Sequence, residues 1–199
     1  QWSKTDVGTP QGAVISPVLA NLYLHHVLDL WTDVWRKTAR GDVIIVRYAD
    51  DFVMGFQYRN EADLFLQQLQ ERMAKFGLEL HQEKTRLIEF GRFAAANRSK
   101  RGEGKPETFD FLGFTHICAK TKRGNRFTIR RKTIAKRLRA KVKKMKEGIR
   151  LRMHDPIPEQ GQWLRAVVLG HLNYYAVPGN KQSTDAFRTA AMREWLHAL

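Results

Sequence analysis

The chain is 199 residues long, with 43% hydrophobic and 11% aromatic residues, enough apolar material for a core and room for one or two small domains, but not for a large multidomain enzyme. Its formal charge of +15 is unevenly spread: residues 1–90 hold 10 Lys+Arg against 12 Asp+Glu, a net of −2, and residues 91–199 hold 25 against 8, a net of +17. Such a composition excludes wholesale disorder, and a basic half joined to a near-neutral one is expected to face a polyanion, most naturally nucleic acid.

Residues 13–37 read as a long helix, with Val18, Leu19, Leu22, His26, Leu30 and Trp31 at spacings of three and four; Ser16 and Pro17 place its regular start near Ser16. Residues 43–56, VIIVRYADDFVMGF, are two β-branched and aromatic runs around a polar centre, the pattern of a hairpin. Residues 61–76 are helical by Leu64, Leu66, Leu69, Met73 and Phe76, with Gly77 as the stop, and Leu78 to Phe90 is expected to be extended. Phe93 to Glu107 has the composition of a loop. Two strands are expected over Thr108 to Cys118 and Arg126 to Arg130, separated by the turn-like segment 122–125. From Lys132 the signal is helical: Ile134, Leu138, Val142, Met145 and Ile149 form one apolar face, and Lys and Arg fill the rest. Helices are also expected from Glu159 to about Tyr175 and from Thr184 to Leu199, so an α+β part to about residue 130 precedes an all-helical part.

Tyr48-Ala49-Asp50-Asp51 carries the most chemical information, because two adjacent acids lie between apolar strands. Asp is common in hairpin turns for purely structural reasons. At the tip of a sheet ribbon, however, a carboxylate pair also suits a hard cation such as magnesium, which bridges carboxylates to substrate phosphates. Residues 120–152 carry 16 Lys+Arg and the single acid Glu147, a density whose self-repulsion a polyanion would relieve. Cys118 is the only cysteine, and no apolar run approaches the roughly 18 residues of a membrane span. The expectation is a cytoplasmic protein associated with nucleic acid and not with a membrane.

Tyr48-Ala49-Asp50-Asp51 resembles the catalytic hairpin of reverse transcriptases, and Gly8-Thr9-Pro10-Gln11-Gly12 followed by Ser16-Pro17 resembles the loop-and-helix motif that precedes it. Gly77-Leu78 through Lys84-Thr85 and Phe109-Asp110-Phe111-Leu112-Gly113-Phe114 resemble, in the family's order, the next motif and the primer-grip hairpin. The wording, including His171-Leu172-Asn173-Tyr174-Tyr175, is similar to the reverse transcriptase and maturase proteins of bacterial group II introns. The implied fold is α+β: the C-terminal portion of a right-hand polymerase palm over residues 1–130, an antiparallel sheet with packed helices, followed by a helical thumb over 131–199.

The resemblance implies RNA-directed DNA polymerisation with Mg2+, an RNA template, a DNA primer and deoxynucleoside triphosphates, the RNA being a group II intron. It implies that Asp50 is the metal ligand and catalytic carboxylate, with Asp51 an accessory beside it. Gly8, Gln11, Gly12 and Ala13 would lie against the nascent base pair, and Lys84 near the triphosphate. Tyr48 is either a core aromatic or the floor under the primer end. Phe111, Leu112 and Gly113 would grip the primer, with Gly113 giving backbone a close approach. Lys136, Arg137, Arg139, Lys141, Lys143 and Lys144 would contact phosphates by counterion release.

A further aspartate on an upstream strand, which the family requires, has no counterpart here, and Asp6 lacks a strand around it. The chain, which begins with Gln1, is therefore expected to be a piece of a longer polymerase and inactive alone. Two other readings are an RNA-binding maturase that stabilises folded intron RNA without catalysis by this chain, and an inactive remnant.

Overall fold

The computed structural model describes residues 15–121 and 124–199. They belong to two compact units, Gln1–Leu87 and Ile88–Leu199, divided close to the charge step at residue 90. The expected α+β character is present, in two small antiparallel sheets and the helices around them. Residue 130, the expected boundary between palm and thumb, lies inside a strand of the second unit.

In the first unit, α1 (Ser16–Leu24) runs through a π-helical turn (His25–Asp29) into α2 (Leu30–Arg36); β1 (Val43–Tyr48) and β2 (Asp51–Phe56) follow, then α3 (Arg59–Lys75). Ser16 is the first helical residue and Ile15 occupies the cap position. Of the apolar stripe expected along residues 18–31, Trp31 packs against the core and the other apolar members do not. Val18, Leu19, Leu22 and Leu30 are exposed, and Val27, Leu28 and Thr32 are the buried positions. A π turn follows, in which the Leu30 N–H bonds back to the His25 carbonyl. One extra residue in a turn rotates everything beyond it by about 100° relative to an uninterrupted α-helix.

The core of this unit is Val27, Leu28, Phe65, Leu69 and Met73, against which Trp31, Trp35, Ile45, Phe52, Met54 and Phe56 pack. Trp35 donates its indole N–H to Gln68 at 2.6 Å. Glu61, buried at the start of α3, accepts the backbone N–H groups of Arg40 and Gly41 at 2.7 and 3.3 Å and so pins the connection into β1. Along β1 the alternation is clean: Ile44, Val46 and Tyr48 face out, while Val43, Ile45 and Arg47 are half-buried. Gly77 ends α3 as expected. At φ 66° it lets its own N–H reach Ala74 and that of Leu78 reach Met73, which satisfies the last carbonyls. Residues 78–90 form no strand; a turn at 82–84 interrupts them.

In the second unit, α4 (Ala94–Lys100) lies within the segment expected to be a loop, where three successive alanines favour a helix. Arg101 then pairs with Glu103 at 2.6 Å and with Glu89. A three-stranded sheet of β3 (Phe109–Phe111), β4 (Phe114–Lys120) and β5 (Phe127–Thr133) follows, in that order. The chain closes with α5 (Ala135–Arg150), α6 (Ile157–Tyr175) and α7 (Lys181–Leu196), packed on Met145, Ile149, Leu164, Phe187 and Ala191. The apolar face foreseen for α5 is the one that points inward. Asn180 is a buried polar anchor. Its amide donates to the Thr133 hydroxyl and the Tyr175 carbonyl, both at 2.8 Å, and its oxygen accepts the Thr133 N–H at 2.9 Å. Among the described residues no helix is long and apolar enough to cross a membrane.

Burial makes a testable distinction between two leucines of one helical run. Leu28→Ala is expected to lower unfolding stability by about 3 kcal/mol and Leu19→Ala by under about 0.5 kcal/mol, measured by urea denaturation.

Candidate active-site hairpin and nucleic-acid face

The β1–β2 hairpin pairs Tyr48 with Asp51, so its loop is only Ala49-Asp50. Ala49 has a φ of 55° and Asp50 does not enter the positive region, the pattern of a II′ turn, which normally takes glycine at the first central position. An alanine there costs about 1 kcal/mol or more relative to glycine. Asp50 and Asp51 are both exposed, and neither forms a hydrogen bond or ion pair with a described residue. That is unusual in a chain with 35 Lys+Arg. With respect to the described residues, the two carboxylates are thus uncommitted oxygen donors on adjacent residues, and carboxylate oxygens suit a hard divalent cation. Among the described residues no group of three or more His, Cys, Asp or Glu side chains gathers that could hold a metal ion, so the hairpin offers two protein ligands.

Tyr48 is 67% exposed on the outer face of the ribbon. Lys84 lies in the turn at 82–84 and not at the end of a strand, because its N–H and that of Thr85 both bond to the His81 carbonyl. Its side chain is exposed, and no hydrogen bond or ion pair joins it to Asp50 or Asp51 among the described residues. Gly8, Gln11, Gly12 and Ala13 lie outside the described residues.

Arg47 gave no sign of a role in the sequence, yet it underlies the carboxylate turn. Its side chain is 14% exposed. Nε donates to Asp29 Oδ1 at 2.8 Å and Nη2 to Asp29 Oδ2 at 2.6 Å, a bidentate pair. Nη1 donates to Asn21 Oδ1 at 2.9 Å and to the Ala49 carbonyl at 2.8 Å. The hydrogen bond from Arg47, ahead of the one from His25, holds the Asp29 carboxyl below its ordinary range against a smaller opposing effect of burial. A carboxyl depressed in the folded state stabilises at pH values above the ordinary range, and that contribution is lost as the pH falls through the folded value.

In the second unit, Phe111 pairs with Phe114 across a loop of Leu112 and Gly113. Both loop residues have positive φ, 48° and 81°, as a I′ turn requires. Phe114 is buried and stacks on Tyr174, with Tyr175 edge-on at 5.3 Å. Tyr174 donates its hydroxyl to the Leu112 carbonyl at 2.9 Å, and the Ile134 N–H bonds to the Gly113 carbonyl at 3.1 Å. A methyl group at 113 would sit 3.1 Å from the Tyr175 hydroxyl and 3.3 Å from Arg137 Nη1. The glycine thus answers to φ and to the approach of these two side chains. Tyr174 and Tyr175, which the sequence offered only as part of a resemblance, hold this turn.

On α5, Lys136, Arg137, Arg139, Lys141, Lys143 and Lys144 are all exposed, and none is in an ion pair with a described residue. Lys146, by contrast, pairs with Glu194 at 2.8 Å. Six unneutralised cations on one helix form a surface suited to phosphates.

Tyr174→Phe removes a single hydroxyl and is expected to cost about 1 kcal/mol of unfolding stability in denaturant titration. Asp29→Asn is expected to flatten the loss of stability that the wild type shows on acidification below about pH 4, read from unfolding curves taken across that range.

A family model for reverse transcriptase (RNA-dependent DNA polymerase) matches residues 1–116, more than half of the chain and a span that holds both the carboxylate hairpin and the Leu112-Gly113 turn. No curated protein sequence matches the chain. By its match to that model, this chain belongs to the reverse transcriptase (RNA-dependent DNA polymerase) family.

Proposed function

We propose that the chain is the palm and thumb portion of a reverse transcriptase of group II intron type, acting on an RNA template and a DNA primer. The observation that carries this reading is the Asp50–Asp51 pair, exposed and without a cation partner among the described residues, at the tip of a restrained hairpin. Asp50 and Asp51 would hold magnesium as ligands. When bound, the metal supplies Lewis-acid activation of the primer hydroxyl and charge neutralisation at the departing pyrophosphate.

The other residues bind and orient. Tyr48, exposed beside the turn, offers a flat apolar floor for the terminal primer nucleotide. Gly8, Gln11, Gly12 and Ala13 are assigned to the nascent base pair, and Lys84 to the triphosphate charge. Phe111, Leu112 and Gly113 make the primer grip, and Lys136, Arg137, Arg139, Lys141, Lys143 and Lys144 take the duplex phosphates, with residues 131–199 as the thumb. Two carboxylates on one hairpin do not complete a pair of metal sites, so a further carboxylate from another strand is required. The chain alone is therefore assigned binding without polymerisation.

Binding of the 199-residue chain to an RNA–DNA duplex tests the basic face. Lys143→Glu with Lys144→Glu is expected to weaken binding by at least tenfold and to lower the salt dependence by about two ions released; unchanged affinity and salt slope would contradict the assignment. In magnesium-dependent primer extension the chain alone is expected to be inactive, and synthesis abolished by Asp50→Ala would overturn that part. Splicing support that survives Asp50→Ala but not the charge reversals would favour the maturase role.

A further inference from the structure

Beneath the carboxylate turn lies a network that no part of the proposed reaction uses. Arg47 is the last inward-facing residue of β1, and its guanidinium curls forward to the carbonyl of Ala49, two residues on. Four hydrogen bonds fix that guanidinium: two to Asp29, one to Asn21 and one to the turn itself. Asn21 is in turn oriented by the donation of its amide to the Pro17 carbonyl at 3.0 Å. Asp29 is the last residue of the π turn, and His25 Nδ1 lies 3.3 Å from its Oδ2, the oxygen that also accepts from Arg47 Nη2.

The residue that Arg47 reaches is the strained one. Ala49 holds a positive φ without being glycine, and the next two residues carry like charges that repel. Strain and repulsion both favour opening of the tip. A planar, permanently charged fork that is already locked on one side by a carboxylate is well suited to oppose this, because little side-chain freedom is left to lose when it caps the carbonyl. An ammonium cannot span the same three partners.

Resting on the reading of Asp50 and Asp51 as metal ligands, we propose that Arg47, buttressed by Asp29 and Asn21, is the positioning residue that holds this turn in the conformation that receives the metal. It touches neither metal nor substrate. It acts through the Ala49 carbonyl, and α1, the π turn and β1 together form the frame behind the site.

The test uses the 199-residue chain and two readouts: hydrogen exchange of the Tyr48 and Asp51 amides compared with those of α3, without metal, and paramagnetic broadening of residues 49–51 by Mn2+. Arg47→Lys is expected to speed exchange at the tip at least tenfold while α3 is unchanged, and to weaken Mn2+ binding about tenfold. Adding Ala49→Gly, which removes the backbone strain, is expected to restore part of the Mn2+ affinity, an effect that a merely structural role for Arg47 would not produce. Equal tip exchange and Mn2+ affinity in Arg47→Lys and wild type would overturn the proposal, as would a parallel rise in exchange at α3. If the wild type shows no Mn2+ broadening at 49–51, the metal reading fails, and tip exchange still decides whether Arg47 holds the turn.

Discussion

A two-residue loop bearing adjacent carboxylates works against itself, and the carbonyl of Ala49 is the point at which the first unit restrains it. The arginine that does so is committed on its other edge to Asp29, so the turn is tied through one planar group to the helix behind it. Asp29 closes the same π turn that carries the buried Val27 and Leu28. The apolar residues of α1 stay on the surface. Core packing and the restraint of the carboxylate turn thus meet in one stretch of helix.

The second unit solves a similar problem with neutral groups. Leu112, like Ala49, is a non-glycine residue at positive φ in a two-residue loop, and its carbonyl too is capped by a side chain, here the Tyr174 hydroxyl from α6. Asn180 then ties β5 to the end of α6, so the turn, the strand and the helix move together. In each unit a tight turn is preorganised by one side chain far away in sequence or tucked beneath it. Preorganisation of this kind spares a site the cost of ordering itself when a ligand arrives.

Much of this was legible in the sequence where local chemistry decides the outcome. Gly77 stops α3 because only a left-handed residue closes that helix end. The hairpin at 43–56 and the apolar face of α5 follow from their periodicities. The π turn was not legible, since spacings of three and four describe an uninterrupted helix. The helix at 94–100 was hidden by the Gly, Pro and Ser residues that follow its alanines, and the extended run expected over 78–90 is interrupted by a turn at 82–84. Among site residues, the acids and the basic helix announced themselves by composition. Arg47, Tyr174 and Asn180 did not, because their partners lie 18, 62 and 47 residues away.

The central claim is that the Asp50–Asp51 turn is a metal site in a polymerase that grips its duplex with a separate basic helix. The most direct measurement is anomalous scattering from crystals of the chain grown with an RNA–DNA duplex and Mn2+. The account predicts a Mn2+ peak within about 2.5 Å of an Asp50 carboxylate oxygen. Ordered Mn2+ elsewhere on the chain, with none at this turn, would contradict it.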